Sequence, residues 1–291
     1  MPSHHNVLIG SNVRPHKHRS AMLKQFFQRL ALFSFAAYGA MWTAVESISA
    51  FIETMKPGGW RSYATLVVAS LAYGLWKAWP ARKVEIGVPN SDSSVNIQFG
   101  DLLKMNGCIA IQVNEYFDSL LGNHVSTKSL HGIFIRDVLG GQSATFDSLV
   151  RNALSTTPFE VVNRKSGNTH RYRIGTTAAV DINSRRFLLF AFARTDLSTL
   201  KAQATIHDFW EALSGLWEGV RVHSNGENVY VPLLGSGLSG VGLPERQLLE
   251  LMILSFFYHS KKNKIAKCVT IVVHSSLRAK INLLALKAVE E

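Results

Sequence analysis

Gly235, Gly237, Gly240 and Gly242 stand within eight residues, between an apolar run, Val231-Pro232-Leu233-Leu234, and a helical pattern that opens at Pro244. The loop Gly235-Ser236-Gly237-Leu238-Ser239-Gly240 matches G-x-G-x-x-G. The dinucleotide form of that motif needs an acidic residue about 20 residues on, to hold a ribose. The chain has Tyr258-His259-Ser260-Lys261-Lys262 there, so that reading fails. The physical content survives. Glycines let backbone N–H groups approach an anion, and a helix behind the loop adds a positive end. A strand, glycine loop and helix in this order predict a cradle for a phosphate or diphosphate, the alternative being an ordinary tight connection.

Other chemistries find little support. There is no G-x-S-x-G elbow for a nucleophilic serine, so Ser236 reads as a hydrogen-bond donor. The two cysteines, Cys108 and Cys268, have no C-x-x-C partner, which excludes a disulfide framework and a paired-cysteine zinc site. The eleven histidines are scattered, and no H-x-x-x-H or H-x-H pair falls on a folded element. No metal or cofactor is expected.

The elements that must carry the loop lie in the C-terminal part, after a turn-rich linker at 81–94. Short apolar runs read as strands at 95–99, 108–113, 132–135, 159–162, 171–175, 179–182, 187–193, 229–233 and 268–274. Their β-branched and aromatic content, without strict alternation, suggests burial on both faces. Helical patterns fall at 144–154, 197–220, 244–258 and 277–289. Strands alternating with helices predict a three-layer α/β/α sandwich, with a mixed sheet because the segments around 171–193 read as a hairpin.

The 291 residues are 47% hydrophobic and only 18% charged, so the chain can build a sizeable core. The net charge of +11 is uneven. Residues 1–83 hold ten Lys/Arg and two acids, Glu46 and Glu53. A nucleic-acid binder would carry that excess on its folded part; here it flanks apolar segments, which fits anionic lipid and no nucleic acid. A basic segment, 1–29, precedes apolar runs at about 30–52 and 62–79, separated by Lys56-Pro57-Gly58-Gly59. At 1.5 Å per residue these would extend roughly 34 and 27 Å, and the expectation is a two-helix transmembrane hairpin across residues 30–80. The positive-inside rule then puts the N-terminus and the C-terminal domain in the cytoplasm. Glu46, inside the first run, would face a partner helix or water path, or lie near the headgroups.

With these residues in view, residues 95–291 resemble the macro domain, a fold that binds ADP-ribose. Val231–Leu238 looks like the second phosphate loop of that family. Phe99-Gly100-Asp101-Leu102 resembles its Gly-Asp-Ile element, which implies that Asp101 accepts from the adenine amino group with Leu102 beside it. Ile109-Ala110-Ile111-Gln112-Val113-Asn114 resembles the strand ending in a ribose-side asparagine, here Asn114. The stretch 126–132 falls where the first phosphate loop belongs, and the resemblance places His131 and His274 near the pocket. Hydrolytic members resemble one another in Asn-Ala-Ala-Asn. Here the stretch is Asn114-Glu115-Tyr116-Phe117, which implies binding without turnover and leaves Glu115 and Tyr116 to meet a group beyond the ribose. A tethered ADP-ribose hydrolase or a plain ADP-ribose-binding module is the alternative.

Two short spans before a divergent macro domain are similar to the membrane-anchored macro effectors of Thoeris anti-phage defence. That resemblance implies a bacterial inner-membrane protein whose partner TIR protein makes an ADP-ribose-derived signal, the histidine conjugate of ADP-ribose. The bound protein would oligomerise and disrupt the lipid bilayer, ending in abortive infection.

Overall fold

The computed structural model describes residues 15–52, 59–79, 82–238, 240–283 and 285–286. The chain divides into two compact units, with the boundary between Ala81 and Arg82.

The first unit is a pair of helices, α1 (Pro15–Phe51) and α2 (Gly59–Ala78). Both are rich in Ala and Leu, which favour helix, and neither has an internal proline. They meet through a stripe of small residues spaced four apart, Ser70, Gly74 and Ala78. A Cβ at Gly74 would lie 2.0 Å from Ser34 Oγ, so only glycine permits this approach. Trp42 stacks on Tyr63 of the other helix, with ring centres 5.4 Å apart.

This pair corrects the expected transmembrane hairpin. No helix among the described residues is long and apolar enough to cross a membrane. The apolar runs suggested spans, but α1 is interrupted by Ser34, Gly39, Thr43, Glu46, Ser47 and Ser49, and α2 carries Arg61, Ser62, Thr65, Ser70, Gly74 and Lys77. The two-pass inner-membrane location, and with it the role of Glu46 inside a bilayer, is not supported. Glu46 sits within α1, where its carbonyl accepts from Ser49 Oγ. The expected turn at 56–59 lies almost wholly outside the described residues; of the basic segment 1–29, residues 1–14 lie outside them and 15–29 form the start of α1.

The second unit is built on one mixed sheet. Its strands are β1 (Lys83–Gly87), β2 (Ser94–Gly100), β3 (Cys108–Asn114), β6 (Thr177–Ile182), β7 (Arg185–Thr195), β8 (Ala202–Gln203), β9 (Val229–Pro232) and β10 (Cys268–His274). A separate small ladder pairs β4 (Glu160–Val161) with β5 (His170–Arg171). The main order is β1-β2-β10-β9-β3-β7-β6, with β8 paired to β7. Strands β2, β10, β9, β3 and β7 run parallel, and the edges β1 and β6 are antiparallel to their neighbours.

Side-chain alternation along β3 and β7 feeds two cores. Cys108, Ala110, Leu188 and Phe190 face α5 (Ile206–His223) and α6 (Glu245–Lys262) through Leu213, Trp217, Met252 and Phe256. Ile109, Ile111, Phe187 and Leu189 face the other layer, α3 (Leu130–Ile133) with its π-helical continuation Phe134–Val138 and α4 (Ser143–Ala153), through Phe134, Ile135, Phe146 and Val150. The result is the three-layer mixed α/β sandwich expected from the sequence. A capping box between Thr205 and Asp208 starts α5.

Boundaries differ in four places, one of them the helix expected at 277–289, whose described part opens as a 3-10 turn, Ser275–Ala279. Residues 83–87, read as linker, form the edge strand β1. The run 132–135, read as a strand for its Ile and Phe content, is helical because Ser129 caps that turn through Gly132 N–H. The helix expected from 197 begins at Ile206, after β7 extends to Thr195 and turns into β8.

Candidate functional site

Five parallel strands direct their C-terminal ends to one side, where open α/β sheets bind ligands. There Asp101, Asn114, Ala193, Leu233 and His274, at or just beyond the ends of β2, β3, β7, β9 and β10, line a cleft of about 1230 Å³. The segment 122–131 closes one rim and Ser236, Gly237 and Leu238 the opposite one.

The glycine loop is built differently at each glycine. Gly235 has φ +71°, and a Cβ there would come within 2.9 Å of Val241. A Cβ at Gly240 would sit 3.0 Å from the Gly237 carbonyl. Gly237 is free of both constraints: its nearest neighbour would be Gln112 Nε2 at 3.8 Å, so this glycine keeps the cleft open. The Ser236 hydroxyl donates to the Leu233 carbonyl at 3.0 Å and holds the turn. Gly235 and Gly240 shape the loop without lining the cleft, and Ser239 lies outside the described residues.

On the other rim, Ser129 Oγ accepts from Gly132 N–H and donates to the Ser126 carbonyl. A Cβ at Gly132 would stand 2.1 Å from that carbonyl, so glycine is required. His131 is buried against the Phe146 ring, and burial pushes its imidazole down to about 4. Its Nε2 has no hydrogen-bond partner.

Asp101 is half-exposed at the mouth; it accepts from Leu103 N–H and lies 3.7 Å from Lys104 Nζ. Leu102 behind it is buried and also lines the cleft. His274 is exposed, with Nδ1 2.8 Å from Ser276 Oγ.

The stretch 114–117 departs from expectation. Asn114 lines the cleft, but its side chain is tied to its own turn: Oδ1 accepts from the N–H groups of Tyr116 and Asp118, and Nδ2 donates to Asp118. Glu115 lines a separate cleft of about 400 Å³, with Arg171, Arg194 and Glu211. Burial raises its carboxyl pKa, partly offset by Thr195 N–H and Arg194. Phe117 is fully buried against Tyr172, with φ +51°. Glu115 thus opens on a different cleft from Asn114, and Tyr116 is buried and lines neither.

Sequence reasoning missed the buried polar network behind this turn. Asp118 is fully buried and accepts from both terminal nitrogens of Arg164 (2.9 and 3.0 Å), from Asn168 N–H (2.8 Å) and from Asn114. Arg164 lies over the Tyr116 ring at 3.9 Å and 3.3 Å from His124 Nδ1. His124 lines the cleft, so the network anchors that rim. Gly167, at φ +84°, makes room for it; a Cβ there would come within 2.6 Å of Asp118. The Asp118–Arg164 separation leaves no local pattern to read. Among the described residues, no three His, Cys, Asp or Glu side chains are grouped to hold a metal ion.

The family model of the Thoeris protein ThsA macro domain matches residues 95–274. The chain belongs to that family. The matched stretch runs from β2 to the end of β10 and holds all five strands that end at the cleft. The Thoeris protein ThsA of Bacillus amyloliquefaciens (strain Y2) is 28% identical over 210 residues, 68% of each chain. Among solved structures, the Oceanobacillus iheyensis macrodomain mutant D40A is similar at TM-score 0.49 and 12% identity, over 72% of this chain and 96% of that one. The Oceanobacillus iheyensis macrodomain with ADP gives 0.48 and 11%, over 72% and 94%.

Proposed function

We propose that this ThsA-family macro domain is a receptor for an ADP-ribose-derived nucleotide of Thoeris defence and that it binds without hydrolysis. The observation that carries the reading is the open face of Gly237 at the rim of a nucleotide-sized cleft formed by parallel strand ends. In this reading the 235–240 loop and the 126–132 loop take the diphosphate and Asp101 takes the adenine amino group. Binding without turnover is supported by the 114–117 stretch. Phe117 is packed into the core, and Asn114 is committed to its own turn. The ligand is a signal made by a TIR protein, the histidine conjugate of ADP-ribose. Its binding drives self-association of the receptor, and the assembled form produces abortive infection.

The test is calorimetric titration of the full chain with ADP-ribose and with its histidine conjugate, followed by chromatography of the recovered ligand. Tight binding of the conjugate, weaker binding of ADP-ribose and intact ligand are expected. Breakdown of either ligand would convert the reading to a hydrolase, and no binding of either would overturn it.

A further inference from the structure

Glu115 is a buried carboxylate that the receptor reading leaves unused. Its side chain is 4% exposed, and it lines the smaller cleft of about 400 Å³. Its Oε1 accepts from Thr195 N–H at 3.4 Å. Its Oε2 is buried and accepts no hydrogen bond among the described residues. A carboxylate oxygen taken out of water needs a donor. The cations around it are committed elsewhere. Arg171 is ion-paired with Glu160, and Arg173, mostly in solvent, lies 3.6 Å from Glu211. Arg194 donates from Nε to Asp208 at 2.8 Å. Its Nη1 lies 3.5 Å from Glu115 Oε2, out of hydrogen-bond geometry, and its Nη2 lies 3.9 Å from Glu211. Each guanidinium that lines the cleft among the described residues thus has a carboxylate of its own, and Glu115 is the acid left over.

Burial raises the Glu115 carboxyl pKa even with Thr195 N–H and Arg194 in place, so a further positive group would stabilise the carboxylate. The walls suit a cation on an apolar stem. Phe159 is 47% exposed and its ring centre lies 5.9 Å from that of Tyr172, both lining the cleft. Aromatic faces attract ammonium groups, and the volume is at the small end for a ligand site.

We propose that the smaller cleft is a second ligand site, which takes an alkylammonium group whose N–H donates to Glu115 Oε2 and whose stem packs against Phe159 and Tyr172. A donor is what a carboxylate oxygen lacks, and one open oxygen suits an ammonium better than a two-pronged guanidinium. The site is distinct from the nucleotide cleft and stands whether or not that cleft holds a nucleotide. A free amine and a lysine side chain both carry the group.

The experiment titrates the full chain by calorimetry, at constant ionic strength, with n-butylammonium and with Nα-acetyl-lysine methylamide; butan-1-ol is the uncharged control. Saturable binding of n-butylammonium is expected, undiminished by excess ADP-ribose, with no binding of butan-1-ol. Glu115→Gln keeps the shape and the acceptor for Thr195 N–H, and is expected to bind n-butylammonium at least about tenfold more weakly, as for one lost hydrogen bond between charged groups. Phe159→Leu is expected to bind it about threefold more weakly. Equal affinity for the blocked lysine supports the site and assigns it to a protein side chain; its exclusion, with n-butylammonium bound, supports the site and assigns it to a free amine. No saturable binding of either amine, equal affinity for butan-1-ol, displacement by ADP-ribose, or wild-type affinity in Glu115→Gln overturns the site. If Glu115→Gln melts well below the wild type, Phe159→Leu decides, because that ring is half exposed: wild-type affinity for n-butylammonium in Phe159→Leu then overturns the site.

Discussion

Replacing Asp118 with alanine tests how the 122–131 rim is held. The carboxylate accepts four hydrogen bonds, two from Arg164 and one each from Asn168 N–H and Asn114. Its removal strips the charge partner from a guanidinium whose side chain is only 1% exposed. Breaking one side of a buried pair costs about 3–5 kcal/mol, because the remaining charge stays desolvated. Arg164 keeps the Asn168 carbonyl at 2.6 Å and the Tyr116 ring, which places the loss near the lower end, about 3 kcal/mol. For a unit of this size that is roughly 6–12 °C in melting temperature. Urea unfolding of the full chain, followed through the second unit, measures it. The double variant Asp118→Leu, Arg164→Met should recover much of the loss, since replacing both charges removes the unpaired ion. A loss below about 1 kcal/mol for Asp118→Ala would mean that water reaches the pair, and the argument from burial would fail.

Acid should weaken the fold through His131. Its imidazole is depressed to about 4, below the ~6.5 of an unfolded chain, so the unfolded state binds more protons between these values; the contribution is full above about pH 6.5, is lost as pH falls toward 4, and is worth about 3 kcal/mol. Unfolding free energies from pH 7 to 4 should fall less steeply in His131→Asn, and equal slopes would refute this. Gly235→Ala and Gly237→Val should part company. The first meets Val241 at positive φ and should lose about 1–3 kcal/mol of stability; the second should melt like the wild type yet lose ADP-ribose binding. Retained binding in Gly237→Val would count against the loop assignment.

Much of the sheet was legible because its strands are short apolar runs rich in Val, Ile and Phe, and the glycine loop was legible because its turn needs particular residues. Periodicity failed where tertiary contacts decided. The run Gly132-Ile133-Phe134-Ile135 has strand composition, yet it folds as helix because Ser129 caps it and Gly132 packs on the Ser126 carbonyl. Two apolar runs looked like membrane spans, but with their Ser, Thr and Gly content no described helix is long and apolar enough to cross a membrane. The separation of Asn114 from Glu115 was not legible, since it depends on the turn that the Asn114 side chain holds through Tyr116, Asp118 and their N–H groups. The Asp118–Arg164 pair was not legible, since an ion pair across 46 residues follows from the completed fold alone.

The two rims of the cleft are held by different physics, and this bears on how affinity arises. The glycine rim is fixed locally, by Ser236 to the Leu233 carbonyl and by Val241 N–H to the Gly235 carbonyl. The opposite rim depends on a buried charge that reaches it through Arg164 and His124. A rim ordered before binding spares the ligand the entropy of ordering it. Loosening Asp118 should therefore weaken ADP-ribose binding without touching the ligand, whereas Gly237→Val weakens it by occupying the ligand's place. A ligand bound to the folded state raises its stability in proportion to the logarithm of the ligand concentration over Kd. Saturating ADP-ribose should accordingly restore part of the melting temperature lost in Asp118→Ala and leave that of Gly237→Val, wild-type without ligand, unchanged.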